Sequence, residues 1–134
     1  MFQKENGSKI FNWTLAIVWM ALIFWSSSVS DFGLGGGESG QGSDVYSSIA
    51  HVVLYAVLTG LLIRALMSSG YKLTVAFFGG FIIAILYGIS DEVHQSFVPG
   101  RESHISDWLF DLIGSYLVLS AYTYKYRRNK KLRK

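Results

Sequence analysis

Four long apolar blocks, a one-sided distribution of Lys and Arg, and aromatic residues at the block ends predict an all-α polytopic membrane protein. It has four transmembrane helices and both termini in the cytoplasm. The chain has 134 residues, 51% hydrophobic and 16% aromatic, with a mean hydropathy of +0.33. A membrane-spanning helix needs about 20 mostly apolar residues, with a range of roughly 17 to 25. Blocks at 11–27, 46–67, 73–90 and 106–124 fit that window. Little chain remains for a soluble domain, so 1–134 reads as a single transmembrane domain.

Between Phe11 and Trp25 only Asn12 and Thr14 are polar. A basic leader, this stretch and "SSSVSD" also fit a secretory signal with a small-residue cleavage site. Trp13, Trp19 and Trp25 make the stretch bulky, and a signal has a shorter apolar core, so it is read as a retained first span. The following "DFGLGGGESGQGSD" has six glycines between Gly33 and Gly42. It lacks the Gly-Lys-Ser/Thr ending of a phosphate-cradling loop and reads as flexible connection. The second span, from Val45 to Met67, carries His51, Tyr55, Thr59 and Arg64 among its polar residues. Leu73 to Ile89 holds no charge and places Ala76, Gly80, Ala84 and Gly88 at every fourth position. Small residues at that spacing let backbones approach closely in lipid, and the set winds around the helix into a slanted contact. Trp108 to Tyr124 contains a single charged residue, Asp111.

The basic residues settle the expected orientation. Lys4, Lys9, Arg64, Lys72 and the tail "KYRRNKKLRK" fall on one side of four spans, and Arg101 stands alone on the other. By the positive-inside rule the first side is cytoplasmic, giving a multi-pass, N-in/C-in protein of the cell membrane. The tail is a topology anchor that also touches anionic lipid, and no nucleic-acid partner is assigned to it. Aromatic residues fit an interfacial belt, with Trp25, Tyr46, Phe97 and Trp108 outside and Trp13, Tyr71, Tyr122, Tyr124 and Tyr126 inside. Cysteine is absent, which excludes disulfides, thiolate nucleophiles and thiolate metal sites.

The stretch "GISDEVHQSFVPGRESHISDWLFDLIG" gathers carboxylates, two histidines, Gln95 and Arg101 around a Pro99-Gly100 turn. It reads as the second outer loop with its flanking helix ends, and Ser106 is the expected N-cap of the fourth span. Asp111 lies one turn beyond Asp107 on the same face, and His51 and Tyr55 share a face in the same way. Tyr87, Asp91 and Gln95 follow one another at intervals of four. A charge at the centre of a spanning helix costs about 2.5 to 3.5 kcal/mol on insertion scales, so such residues face the bundle interior and find partners. The expected site is therefore an outward-facing cavity built from Asp91, Glu92, His94, Gln95, Arg101, Asp107, Asp111, His51 and Tyr55. Glu92, His94, His104 and Asp107 have metal-binding chemistry, but no spacing matches a sharp metal motif, so neither metal nor cofactor is assigned.

At these residues the chain resembles the VanZ-like family of small integral membrane proteins. "DEVHQSFVPGRESHISDWLFDLIG" is similar to that family's signature through Asp91, Glu92, His94, Gln95, Phe97, Pro99, Gly100, Arg101, Asp107, Asp111 and Gly114. "AHVVLY" resembles its second-span His-x-x-x-Tyr, placing His51 and Tyr55, and "FWSSSVS" resembles the pattern closing its first span. The likeness covers nearly the whole chain. It implies a four-helix membrane protein of the bacterial envelope, from a family whose namesake is associated with teicoplanin resistance. Position 111 is often Asn in that family, which puts the need for its charge in doubt.

Two readings follow. In the first, the cavity recognises a polar headgroup of membrane lipids, of a lipid-linked envelope precursor or of a lipoglycopeptide. Arg101 then grips an anionic group in a two-pronged manner. In the second, a carboxylate or His acts as a base on a phosphate or acyl substrate. Ser90, Ser96, Ser103 and Ser106 sit in no recognised nucleophile motif, so the binding reading leads. Proton-coupled transport would need polar residues continuing to the inner side, and beyond Thr59 and Asp111 there are few.

Overall fold

The computed structural model describes residues 2–29, 41–99 and 105–132, with side chains from residue 6 in the first segment and from residue 45 in the second. The Gly-rich residues 33–40, and with them Gly100, Arg101, Ser103 and His104, lie outside the described residues. The described chain is all-helical: α1 Phe2–Ser27, α2 Gln41–Ser68, α3 Leu73–Gln95 and α4 Ile105–Lys131.

All four helices outrun the predicted spans. The spans were drawn on hydropathy, whereas a formed helix gains one backbone bond with each added residue and continues into polar sequence. Thus Gln41–Asp44, read from sequence as connection, belong to the first turn of α2, and α4 runs on through its basic tail. Ser106 is not the N-cap of α4, because the helix begins one residue earlier at Ile105. A Schellman-like turn ends α2, with Gly70 at φ +84° and Tyr71 N–H donating to the Leu66 carbonyl at 3.3 Å. Residues 96–99 turn at the end of α3, and the expected Pro99-Gly100 turn runs on outside the described residues.

Three helices are long and apolar enough to cross a membrane: Asn6–Ser27, Val45–Ser68 and Leu73–Gln95. α4 falls short of that standard because Asp107, Asp111 and the basic tail dilute its hydropathy. Its surface nevertheless follows the same rule as the others. α3 turns Val75, Phe78, Ile82, Leu86, Ile89 and Val93 outward and buries Ala76, Gly80, Ala84, Gly88, Asp91 and Glu92. α4 turns Leu109, Ile113, Tyr116 and Leu117 outward and buries Asp111, Gly114 and Ser115. Large apolar residues outside with small and polar ones inside is the pattern of helices packed in lipid, where apolar burial drives nothing.

α2 and α3 form the inner pair, α1 and α4 flank it on opposite sides, and α1 does not touch α4. The small-residue stripe winds as expected. Gly80 meets Ile63 of α2, while Gly88 meets Tyr55 of α2 and Trp108 and Asp111 of α4. The closest approach involves a glycine outside that stripe: a Cβ at Gly114 would land on the Val52 carbonyl of α2. α1 is held by aromatic side chains that reach polar atoms on its neighbours. Trp13 Nε1 donates to Ser69 Oγ at 2.9 Å, and Trp19 Nε1 donates to the Leu54 carbonyl at 3.0 Å. Tyr87 Oη donates to the Met20 carbonyl at 2.6 Å.

Gly114→Ala forces α2 and α4 apart and is expected to destabilise the bundle by about 1–3 kcal/mol, the range for overpacking. Gly60→Ala, whose Cβ would find only Val118 Cγ1 at 3.9 Å, is expected to be neutral or stabilising, since alanine is the better helix former by about 1 kcal/mol. Thermal unfolding of both variants by circular dichroism in detergent micelles checks the contrast.

Candidate functional site

The polar side chains collect at the end of the bundle where α1 and α3 finish and α2 and α4 begin. Each helix places them by simple periodicity. On α2, His51, Tyr55 and Thr59 recur every fourth residue; on α4, Asp107, Asp111 and Ser115 do the same. Residues four apart stack along one helix face. α2 and α4 both start at this mouth, so two columns run inward side by side. Tyr55, Thr59, Asp111 and Ser115 are all fully buried. Below them the interior closes with Leu62, Ile63 and Leu119. The polar columns therefore stop inside the bundle and do not run through it.

Two polar networks meet in this mouth. In the first, His51 Nδ1 lies 2.9 Å from Asp111 Oδ1, and its Nε2 lies 3.9 Å from Asp107 Oδ2. With Asp111 ionised, Nδ1 carries the proton of that bond; in either protonation state the bond fixes the orientation of the imidazole. Glu92 of α3 approaches the same place: one ligand atom each from His51, Glu92 and Asp107 lie within 4.8 Å of one another. Asp111 Oδ2 and Tyr55 Oη are buried and make no hydrogen bond among the described residues. Gly88 leaves room for both residues, since a Cβ there would sit 2.9 Å from Asp111 Oδ2 and 3.2 Å from Tyr55 Cε1.

The second network joins α1 to α3. Asp91 accepts from Ser27 Oγ at 2.6 Å and from Gln95 Nε2 at 3.0 Å, so both of its oxygens are engaged. Ser28 Oγ lies 2.9 Å from His94 Nε2, and the His94 ring stacks on Phe24 with centroids 4.2 Å apart. Ser28 Oγ also donates to the Phe24 carbonyl at 2.7 Å.

Eight of the nine sequence-predicted residues thus fall at this end: Asp91, Glu92, His94, Gln95, Asp107, Asp111, His51 and Tyr55. Arg101 lies outside the described residues. The structure divides the eight, with Asp91 and His94 turned towards the end of α1, Gln95 bonded to Asp91, and His51 joined to α4. Ser27 and Ser28 were missed as site residues. Their signal was the serine run at the close of the first apolar block, which hydropathy alone treats as a mere end. Trp108 was read as a belt residue, yet its indole N–H is buried and its ring faces Gly88. Tyr87, which lines up with Asp91 in sequence, crosses to the Met20 carbonyl instead.

These features define a small helical membrane protein with a polar, carboxylate-rich mouth over a closed apolar interior. The chain matches the VanZ/LLP1 family model over residues 11–126 and belongs to that family. Comparison with curated proteins and with solved structures finds no match.

Replacing Asp111 separates acceptor from charge. Asp111→Asn keeps an oxygen for His51 Nδ1–H and is expected to melt within about 1 kcal/mol of the wild type. Asp111→Leu strands the imidazole N–H and is expected to cost about 1–3 kcal/mol, the penalty for a buried donor left unsatisfied. Parallel melts of the two variants in one detergent decide it.

Proposed function

We propose that the protein crosses the cell membrane four times with both termini in the cytoplasm. In this reading it binds, at its outward mouth, the polar headgroup of a lipid-linked envelope component. The observation that carries this reading is the convergence of polar groups from all four helices at one end of a bundle whose flanks are apolar. The mouth is rich in acceptors: Glu92, Asp107 and Asp111 stand around the His51 imidazole, and Asp91 lies next to Glu92 on α3. Acceptors of this kind suit a ligand that brings hydroxyl, amide or ammonium donors, as the sugar and peptide parts of wall precursors and lipoglycopeptides do. Arg101 is assigned the anionic part of the headgroup, in keeping with its two-pronged fork. The link to teicoplanin-type resistance is the narrower form of this proposal. It rests on the resemblance to the family's namesake.

The outward apolar face of α4 supports the fourth span, and the Lys/Arg asymmetry supports the orientation. A cysteine-free chain makes this testable without background. Phe97→Cys, at a site 80% exposed, is expected to react with a membrane-impermeant maleimide on whole cells. Leu132→Cys, in the basic tail, is expected to react only after permeabilisation. Reversed labelling rejects the outward mouth.

One observation favours a second reading, an integral membrane enzyme: the 2.9 Å contact between Ser28 Oγ and His94 Nε2 has the form of a nucleophile with its base. The binding reading stays ahead because Ser28 already donates to a backbone carbonyl and no carboxylate or other polar group bonds the second ring nitrogen of His94 among the described residues. In vesicles carrying a polyprenyl-linked wall precursor, the expected outcome is saturable binding weakened at least about tenfold, roughly 1.4 kcal/mol, by Glu92→Gln or Arg101→Ala. No product should form. Turnover that disappears in Ser28→Ala would transfer the assignment to the enzyme.

A further inference from the structure

We propose that His51, Glu92 and Asp107 form a binding site for a divalent transition cation, Zn²⁺ or Mn²⁺. Three different helices supply the ligands, one atom each, all within 4.8 Å of one another. Metal–ligand bonds of about 2.0–2.2 Å place two ligands of one ion up to about 4 Å apart. His51 Nε2 and Asp107 Oδ2 stand at 3.9 Å. That separation is too long for a hydrogen bond, and a small inward movement of the side chains would bring both atoms onto one ion.

The orientation of His51 argues the same way. Its Nδ1 is committed to Asp111 at 2.9 Å, which leaves Nε2, 3.9 Å from Asp107 Oδ2, as the ring atom open to an ion. A metal-bound histidine characteristically gives its other ring N–H to a carboxylate that fixes the tautomer and the ring plane. Asp111 fills that role and has no access to solvent. It is a positioning residue, not a ligand.

A second observation lies beneath the three ligands. Asp111 Oδ2 and Tyr55 Oη, both on fully buried residues, make no hydrogen bond among the described residues. They sit one helical turn inward of Asp107 and His51 on the same faces. A donor for Asp111 Oδ2 and an acceptor for the Tyr55 hydroxyl are thus both wanting at this depth, and one water held by the cation is of the kind that supplies both. Three protein ligands with a water in the fourth position is the arrangement of an open zinc site. The single imidazole sets the metal class: Mg²⁺ and Ca²⁺ prefer all-oxygen shells, while nitrogen with carboxylate suits Zn²⁺ or Mn²⁺. The ion also balances carboxylates crowded at one spot. This site stands independently of which headgroup, if any, the mouth receives.

The test is a calorimetric titration of the untagged, EDTA-treated full chain in detergent with Zn²⁺, Mn²⁺ and Mg²⁺ alone. One Zn²⁺ or Mn²⁺ per chain is expected, with Mg²⁺ at least about 100-fold weaker. Glu92→Gln and Asp107→Asn should each weaken the transition ion at least about tenfold. Asp111→Asn should weaken it about 10–100-fold while keeping all three ligands. Ser90→Ala, exposed on α3 and bonded only to the Tyr87 carbonyl, should titrate as the wild type. Should a ligand variant fail to give a monodisperse helical protein, X-ray absorption of the wild-type zinc complex replaces it. The expected shell there is one imidazole nitrogen with oxygens at about 2.0–2.2 Å. No one-to-one binding below about 100 µM in the wild type, unchanged affinity in both ligand variants, or a zinc shell without imidazole would each overturn the site.

Discussion

The bond between His51 and Asp111 is the constraint around which the rest of the bundle is arranged. A carboxylate with no solvent access must be met by a donor, because an unpaired polar group in a dry interior is penalised heavily. His51 meets it from the neighbouring helix at 2.9 Å. Meeting it requires α2 and α4 to lie almost backbone to backbone, and Gly114 against the Val52 carbonyl provides that approach. It also requires α3 to stay clear of the carboxylate, and Gly88 provides the space. Two glycines that allow close packing are thereby part of the same arrangement. Any side chain at either position would displace the pair that orients His51.

Lipid as solvent explains how so small a bundle holds polar groups this deep. With apolar surface on the outside gaining nothing from burial, the helices are held by close packing and by bonds between polar groups. α1 illustrates the point. It makes few contacts of its own with α3, yet Trp13, Trp19 and Tyr87 tie it to the inner pair at three levels. Ser27 and Asp91 add a fourth tie at the mouth. The same groups that stabilise the bundle therefore shape the polar mouth.

Periodicity made much of this legible in the sequence. Asp107 with Asp111, and His51 with Tyr55, share faces because helical geometry leaves no alternative. The slanted small-residue stripe followed from spacing alone. What remained hidden was which face meets which. Adjacent Asp91 and Glu92 give no sign in sequence that one turns to α1 and the other to α2 and α4. His94 and His51 are equal as imidazoles, and only the crossing of helices assigns one to Ser28 and the other to the carboxylates. Ser27 and Ser28 entered the sequence reading only as part of the likeness carried by "FWSSSVS", because hydropathy records where an apolar run stops and not what the last turn touches. Helix ends were drawn short for the same reason.

α3 unites the two networks. Consecutive residues on a helix are about 100° apart, so Asp91 and Glu92 address opposite flanks from a single turn. Asp91 is saturated by Ser27 and Gln95 and acts as a strut between α1 and α3. Glu92 faces His51 and Asp107 across the other seam. A ligand drawing on Glu92 thus pulls on the same turn that Asp91 anchors. Because a helical turn is stiff, that anchor fixes Glu92 before any ligand arrives. Preorganisation of this kind lowers the ordering cost of binding. It gives the Asp-Glu pair a physical reason to be contiguous, with one member building the wall and the other presenting the charge.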